Sequence, residues 1–308
     1  MRILSGKILC FLLVGVLLSA ILPACTPPLH KEDGVQIVAT TFPAYDIART
    51  LTKDCRNVRV RLLLSPGTES HTYDPSAADM MAVHDADLLM YIGQDADAWV
   101  NSMLQSAGKK VRKFVLTEDL ELIQNEHGEA DPHVWTNPAN VIQIVERLTP
   151  VLSTLPGVFG EDATAIEVNA AAYIQKLELL DNDFRAFWAG VPEADRLLVF
   201  GDRFPFVYFA KAYGVSYSAA FPGCSHESEP SASAVMSLID TVRNRSISTV
   251  FYVEFSQHRI ADSIAAETGA KTALLHACHN VTKEEFDAGE TYLSLMQQNL
   301  QQLQESFR

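Results

Sequence analysis

Three segments of the chain set imidazoles where a metal ion could use them. Ser65-Pro66-Gly67-Thr68-Glu69-Ser70-His71 ends a Pro/Gly turn on a histidine. Asp131-Pro132-His133-Val134-Trp135-Thr136-Asn137-Pro138 holds a second histidine between two prolines, with Trp135 as a large apolar anchor. His276-Ala277-Cys278-His279 gathers two imidazoles and a thiol in four residues. Neutral imidazole is a good zinc ligand near neutral pH. Each segment also has a plainer reading. His71 could serve as a hydrogen-bonding loop residue, His133 as a buried histidine at a helix start, and Cys278 as half of a disulfide. H-x-C-H is no established zinc signature by itself.

Two carboxylates stand in comparable places. Asp202, in Gly201-Asp202-Arg203, could be an oxygen ligand, an ion-pair partner of Arg203, or the cap of a helix opening at Phe204. Glu254 closes Phe251-Tyr252-Val253-Glu254 and is open to three roles: ligand, acceptor behind a ligand, or solvated carboxylate. A catalytic zinc would keep a water position and a nearby base, for which Glu69 or Glu254 is conceivable. The chain has no H-E-x-x-H, which weakens a metallohydrolase reading. His84, His226 and His258 have no supporting pattern.

These residues need a scaffold, and the apolar pattern supplies one. Strands are predicted at 35–39, 58–64, 88–92 and 114–116, with helices at 45–51, 77–84 and 98–104 between them. Helix 140–152 follows. From 161 to 188 there is no Pro or Gly, and apolar residues recur at helical spacing; such a helix would run about 42 Å. The alternation then resumes, with strands at 197–200, 215–219, 249–253 and 271–275 and helices at 204–213, 231–244, 257–268 and 292–307. The expected fold is α/β: two lobes, each a parallel sheet with flanking helices, joined by one long rigid helix. The boundaries read as a lobe at 35–160, the linking helix at 161–190 and a second lobe at 191–308. Ligands of such folds sit at the carboxyl ends of the strands, where the three histidine segments fall.

The chain opens like an exported protein. Arg2 and Lys7 precede an apolar run over 8–22 that ends in Leu22-Pro23-Ala24-Cys25. The run is short for a spanning helix, which needs about 20 residues. Leu-Pro-Ala-Cys resembles a lipobox, which makes 1–24 a lipoprotein signal peptide, Cys25 the lipidated residue and 25–34 a tether. The net charge of −14 becomes −16 once Arg2 and Lys7 are removed, which argues against nucleic acid as a partner. Apolar residues make up 48% of the chain and charged ones 20%, as in a folded soluble protein. Of five cysteines, Cys10 lies in the signal and Cys25 is the lipid site, leaving Cys55, Cys224 and Cys278. Cys224 and Cys278 both follow second-half strands and are the expected disulfide; Cys55 reads as a small buried residue.

Taken in order, these segments resemble the receptors of zinc and manganese ABC transporters. The resemblance rests on Pro66-Gly67 through His71, Tyr73 and Pro75; on Asp131-Pro132-His133-Val134-Trp135; on Tyr208 to Gly214; and on Glu229-Pro230-Ser231. Phe251 with Glu254, Glu267 to Ala270 and Thr291-Tyr292-Leu293 complete it. It covers nearly the whole mature chain and implies two α/β lobes joined by a rigid helix, with the metal between them. It implies His71 and His133 as the first two ligands. The family's third ligand, usually His or Glu, falls on Arg203 by gapless counting from Gly214, and guanidinium cannot ligate; a one-residue shift selects Asp202. The fourth, usually a carboxylate, falls near His276, with His279 as the alternative. Such a shell favours Zn(II), with Mn(II) possible if more oxygen ligands enter. Only His127 stands where zinc relatives often carry a long His-rich loop. The resemblance further implies a monomeric, non-enzymatic receptor, lipid-anchored outside the cell membrane, that serves an ABC permease and its ATPase. Some relatives have also been described as surface adhesins, and nothing in the sequence separates the two roles.

Overall fold

The computed structural model describes residues 34–308 except 69–72, 94–98, 108–110, 126–127 and 222–229. His71, His127, Cys224 and His226 therefore lie outside the described residues, as do the signal, Cys25 and most of the tether.

The first half builds β1 (Val35–Ala39), α1 (Phe42–Thr52), β2 (Val58–Leu62), α2 (Ala77–Asp85), β3 (Leu88–Tyr91), α3 (Trp99–Ala107) and β4 (Arg112–Val115). Its sheet is parallel, in the order β2-β1-β3-β4. After α4 (Pro138–Ser153) and α5 (Glu161–Gly190), the second half builds β5 (Leu197–Phe200), α6 (Val207–Tyr213), β6 (Ser216–Ala219), α7 (Ala232–Asn244), β7 (Thr249–Tyr252), α8 (Arg259–Thr268) and β8 (Lys271–Leu274). That sheet is also parallel, in the matching order β6-β5-β7-β8. Helices α9 (Lys283–Ala288) and α10 (Tyr292–Ser306) close the chain.

Strands β1, β3 and β5 are almost wholly buried, so they read as continuous apolar runs with no polar alternation. Helix α5 has 30 residues, about 45 Å at 1.5 Å per residue. One face of it is buried along its whole length through Ile166, Asn169, Ala170, Tyr173, Leu177, Leu180, Phe184 and Trp188. Asn169 Nδ2 donates to Leu51 O of α1 at 3.1 Å, and Phe184 meets Phe209 and Tyr213 of α6 edge-on or tilted. The helix links the two sheets by packing against both halves. One core runs from Phe42 and Trp135 through Tyr173 and Phe184 to Phe200 and Tyr292. Asp33–Arg308 accordingly forms one compact unit, so the two lobes share a core.

Two helical expectations need correction. Helix α6 starts at Val207, not at Phe204. Pro205 is incompatible with a preceding helical turn, and Phe204 and Phe206 turn inward, 0% and 1% exposed. Helix α9 was not anticipated, although its capping box is legible as Thr282-Lys283-Glu284-Glu285: the Thr282 hydroxyl accepts Glu285 N and the Glu285 carboxylate accepts Thr282 N.

Candidate metal centre

His133 sits at the entry to a short 3-10 turn (Val134–Thr136) that leads into α4. The Asp131 carboxylate accepts both the His133 backbone N–H and the ring Nδ1, each at 2.9 Å. An ionised carboxylate only accepts, so Nδ1 carries the proton and Nε2 the lone pair that a metal needs. Asp131 is itself held, since Tyr208 Oη of α6 donates to Asp131 O at 2.7 Å and Asp131 N donates to Ile123 O at 2.8 Å. The imidazole is 1% exposed.

Trp135 ties this loop to the one after β8. Its Nε1 donates to Ala277 O at 2.8 Å, and its own carbonyl accepts Tyr292 Oη at 2.8 Å. The rings of His133, Trp135 and His279 form a triangle: centroids are 5.3 Å apart for His133–Trp135, 5.2 Å for Trp135–His279 and 5.4 Å for His133–His279. Two imidazoles sharing one tetrahedral zinc at about 2.05 Å would have centroids roughly 5.2 Å apart. The spacing of His133 and His279 thus suits a common ion.

His71 lies outside the described residues, but both flanks of its loop are fixed. On one side Asn280 Nδ2 donates to Ser65 O and Thr68 O, each at 2.9 Å, and Gly67 N donates to Val281 O at 2.7 Å. On the other, Tyr73 Oη donates to Asp79 Oδ2 at 2.7 Å and the Tyr73 ring meets Trp99 edge-on at 5.0 Å. The segment leading to His71 and the loops bearing His133 and His279 are therefore knitted together by hydrogen bonds to their backbone.

His276 and His279 go different ways. His276 is 3% exposed, and its Nδ1 accepts Cys278 N at 2.9 Å. Its ring faces Glu254 Oε2 at 3.8 Å and Glu285 Oε2 at 3.6 Å. The facing His276 ring, ahead of the Thr282 N–H, pulls the Glu285 carboxyl down to about 2. Between the two imidazoles Cys278 has a left-handed backbone, φ 59°. Of the two candidates for the fourth ligand, His276 and His279, the ring beside His133 belongs to His279.

The Asp202 carboxylate is taken up by backbone N–H groups instead of capping a helix. Its Oδ1 accepts Arg203 N at 2.8 Å and its Oδ2 accepts Val253 N at 3.3 Å, clasping the loops after β5 and β7. Glu254 accepts Ala277 N at 2.7 Å and His279 N at 3.1 Å, so both of its oxygens face backbone of the loop after β8. Cys278 is a free, fully buried thiol whose Sγ lies 3.7 Å from His276 O. Cys224, its expected disulfide partner, lies outside the described residues, and burial raises the Cys278 thiol's pKa. Cys55 is half-buried, also free, with its Sγ toward Asp162 O. Among the described residues no three His, Cys, Asp or Glu side chains converge as a metal cluster. Among the described residues, the His133 and His279 rings meet edge to face. Asp131 and Asn280 escaped the sequence reading; the D-x-H spacing was the available sign for the first, and nothing local marked the second.

Residues 37–306 match the family described as zinc-uptake complex component A, periplasmic. The chain belongs to this family. It is 31% identical over 310 residues to the zinc-binding lipoprotein AdcA of Streptococcus pneumoniae, covering 96% of this chain and 60% of that protein. The high-affinity zinc uptake system protein ZnuA of Bacillus subtilis is 29% identical, with 90% and 88% covered. Among solved structures, the Zn(II)-bound ZnuA-like domain of S. pneumoniae AdcA superposes with a TM-score of 0.74 at 32% identity, covering 89% of this chain and 99% of that domain. The chain thus spans about three-fifths of the AdcA relatives, the part that forms their ZnuA-like domain.

Proposed function

We propose that the chain is an extracytoplasmic receptor that captures Zn(II) between its lobes and presents it to an ABC permease and its ATPase. The carrying observation is the pairing of buried His133 with partly buried His279 at 5.4 Å, with Asp131 fixing the His133 tautomer, in a chain of the zinc-uptake family. His71 completes the imidazole set in this reading. Its loop is bound to the His279 loop on one side and anchored through Tyr73 on the other. His276 and Asp202, ligand candidates from sequence, give way to His279, because His276 Nδ1 accepts Cys278 N while its Nε2 faces Glu285, and both Asp202 oxygens accept backbone N–H groups. Manganese is the weaker cargo, since imidazole-rich shells suit zinc and oxygen-rich ones suit manganese.

The location follows from the same family. Cys25 is proposed as the lipid anchor, which keeps a monomeric receptor beside the importer. Among the described residues no helix is long and apolar enough to cross a membrane. Solvated glutamate near the ion would favour hydrolysis, but both Glu254 oxygens are committed to backbone N–H groups.

Calorimetric titration of metal-stripped protein with zinc and manganese tests the proposal. His71→Ala, His133→Ala and His279→Ala each weaken zinc binding at least about a hundredfold, while Asp202→Ala keeps the ion. Parent-like binding by either first-lobe variant refutes the site.

A further inference from the structure

The loop after β8 is shaped by buried side chains, one backbone N–H at a time. His276 N donates to Asn299 Oδ1 at 2.7 Å, and Ala277 N donates to Glu254 Oε2 at 2.7 Å. Cys278 N donates to His276 Nδ1 at 2.9 Å, and His279 N donates to Glu254 Oε1 at 3.1 Å. None of these bonds belongs to the ladder of a helix or a sheet. The positive φ of Cys278 turns the N–H groups of residues 277 and 279 toward the same carboxylate, a concavity of the kind that binds anions. The Glu254 side chain is 6% exposed and the His276 side chain 4%. A buried carboxylate is costly unless hydrogen-bonded, and this one is bonded through the loop it shapes.

We propose that Glu254 and His276 are positioning residues: together they fold the 276–279 loop so that the His279 ring stands against His133, and neither touches the ion. This deepens the zinc reading and rests on His279 being a ligand. Glu254 lies two residues past β7, a strand away from the loop it controls, and it is one of two carboxylates facing His276. Its two oxygens grip the residues on either side of Cys278. Losing one grip frees His279 to rotate, although every ligand remains in the chain. The role corresponds to an outer-shell group that orients a ligand, whose removal typically costs about 10- to 100-fold in metal affinity.

Metal-stripped full chain is titrated with zinc against a chelator and with cobalt(II), whose visible bands report the donor atoms. Glu254→Gln presents an NH2 to one of the two N–H groups. It should weaken zinc about 10- to 100-fold while the saturated cobalt bands keep their parental positions. His276→Gln, a second variant in case the first folds poorly, should weaken zinc several-fold with the same unshifted bands. Asn169→Ala, far from the site, controls for simple loss of stability and should bind zinc as the parent does. Zinc affinity within about threefold of the parent in both Glu254→Gln and His276→Gln overturns the positioning role. Shifted cobalt bands in either variant overturn it differently, by making that residue a ligand. His279→Ala separates the two levels: unshifted cobalt bands and parental affinity there sink the ligand reading itself, whatever Glu254 does.

Discussion

Changing Asn280 to Asp replaces one NH2 by an oxygen and tests whether the loops of His71 and His279 are one unit. Asn280 is 2% exposed; its Nδ2 serves Ser65 O and Thr68 O, and its Oδ1 accepts Val281 N at 2.9 Å. The introduced carboxylate would keep the last bond and set its second oxygen against two carbonyl oxygens. Ser65 O still accepts Thr68 N at 3.1 Å, so Thr68 O alone loses its donor, and together with the oxygen–oxygen repulsion the loss is about 1–3 kcal/mol. Burial with one remaining donor, Val281 N, would also raise the introduced carboxyl's pKa. The sign follows: with a raised folded pKa, the deficit against the parent is largest when the new acid is ionised in both states. It narrows as pH falls through that value, because the neutral acid can donate once. Urea unfolding of metal-free protein at several pH values between about 4 and 8 reads this directly. A loss under about 1 kcal/mol at neutral pH, or a deficit that does not narrow in acid, would refute the stapling of the two loops.

Asp131→Ala removes the acceptor that fixes the His133 tautomer, and zinc affinity should fall about 10- to 100-fold by chelator competition. Glu285 is held down to about 2 from an unfolded 4.5, so its stabilising contribution is complete above about 4.5 and gone below about 2; Glu285→Gln should flatten stability across that window in urea unfolding. His279→Glu puts an oxygen donor beside His133 and should raise manganese affinity relative to zinc by about tenfold, measured by parallel calorimetric titrations.

Most of the fold was legible. Strands 35–39 and 197–200 were placed as found, because parallel strands buried on both faces are short apolar runs bounded by turns. The long helix was visible as residues 161–188 free of Pro and Gly, and it runs on to Gly190. Its task was less visible. Read alone it is a strut, yet Asn169, Phe184 and Trp188 show one face packed into both halves.

Residue types and their order in the chain determined that this protein offers imidazoles at strand ends, and the family resemblance named His71 and His133. Which histidine of His276-Ala277-Cys278-His279 meets His133 was decided only in three dimensions. Cys278 has a positive φ, and the N–H groups on either side of it donate to Glu254, which follows the preceding strand of the sheet. Hydrogen bonds between Asn280 and Ser65, or between Trp135 and Ala277, span 215 and 142 residues. Such contacts leave no periodicity or motif in the sequence, because their partners become neighbours only after both sheets and the helix between them have packed.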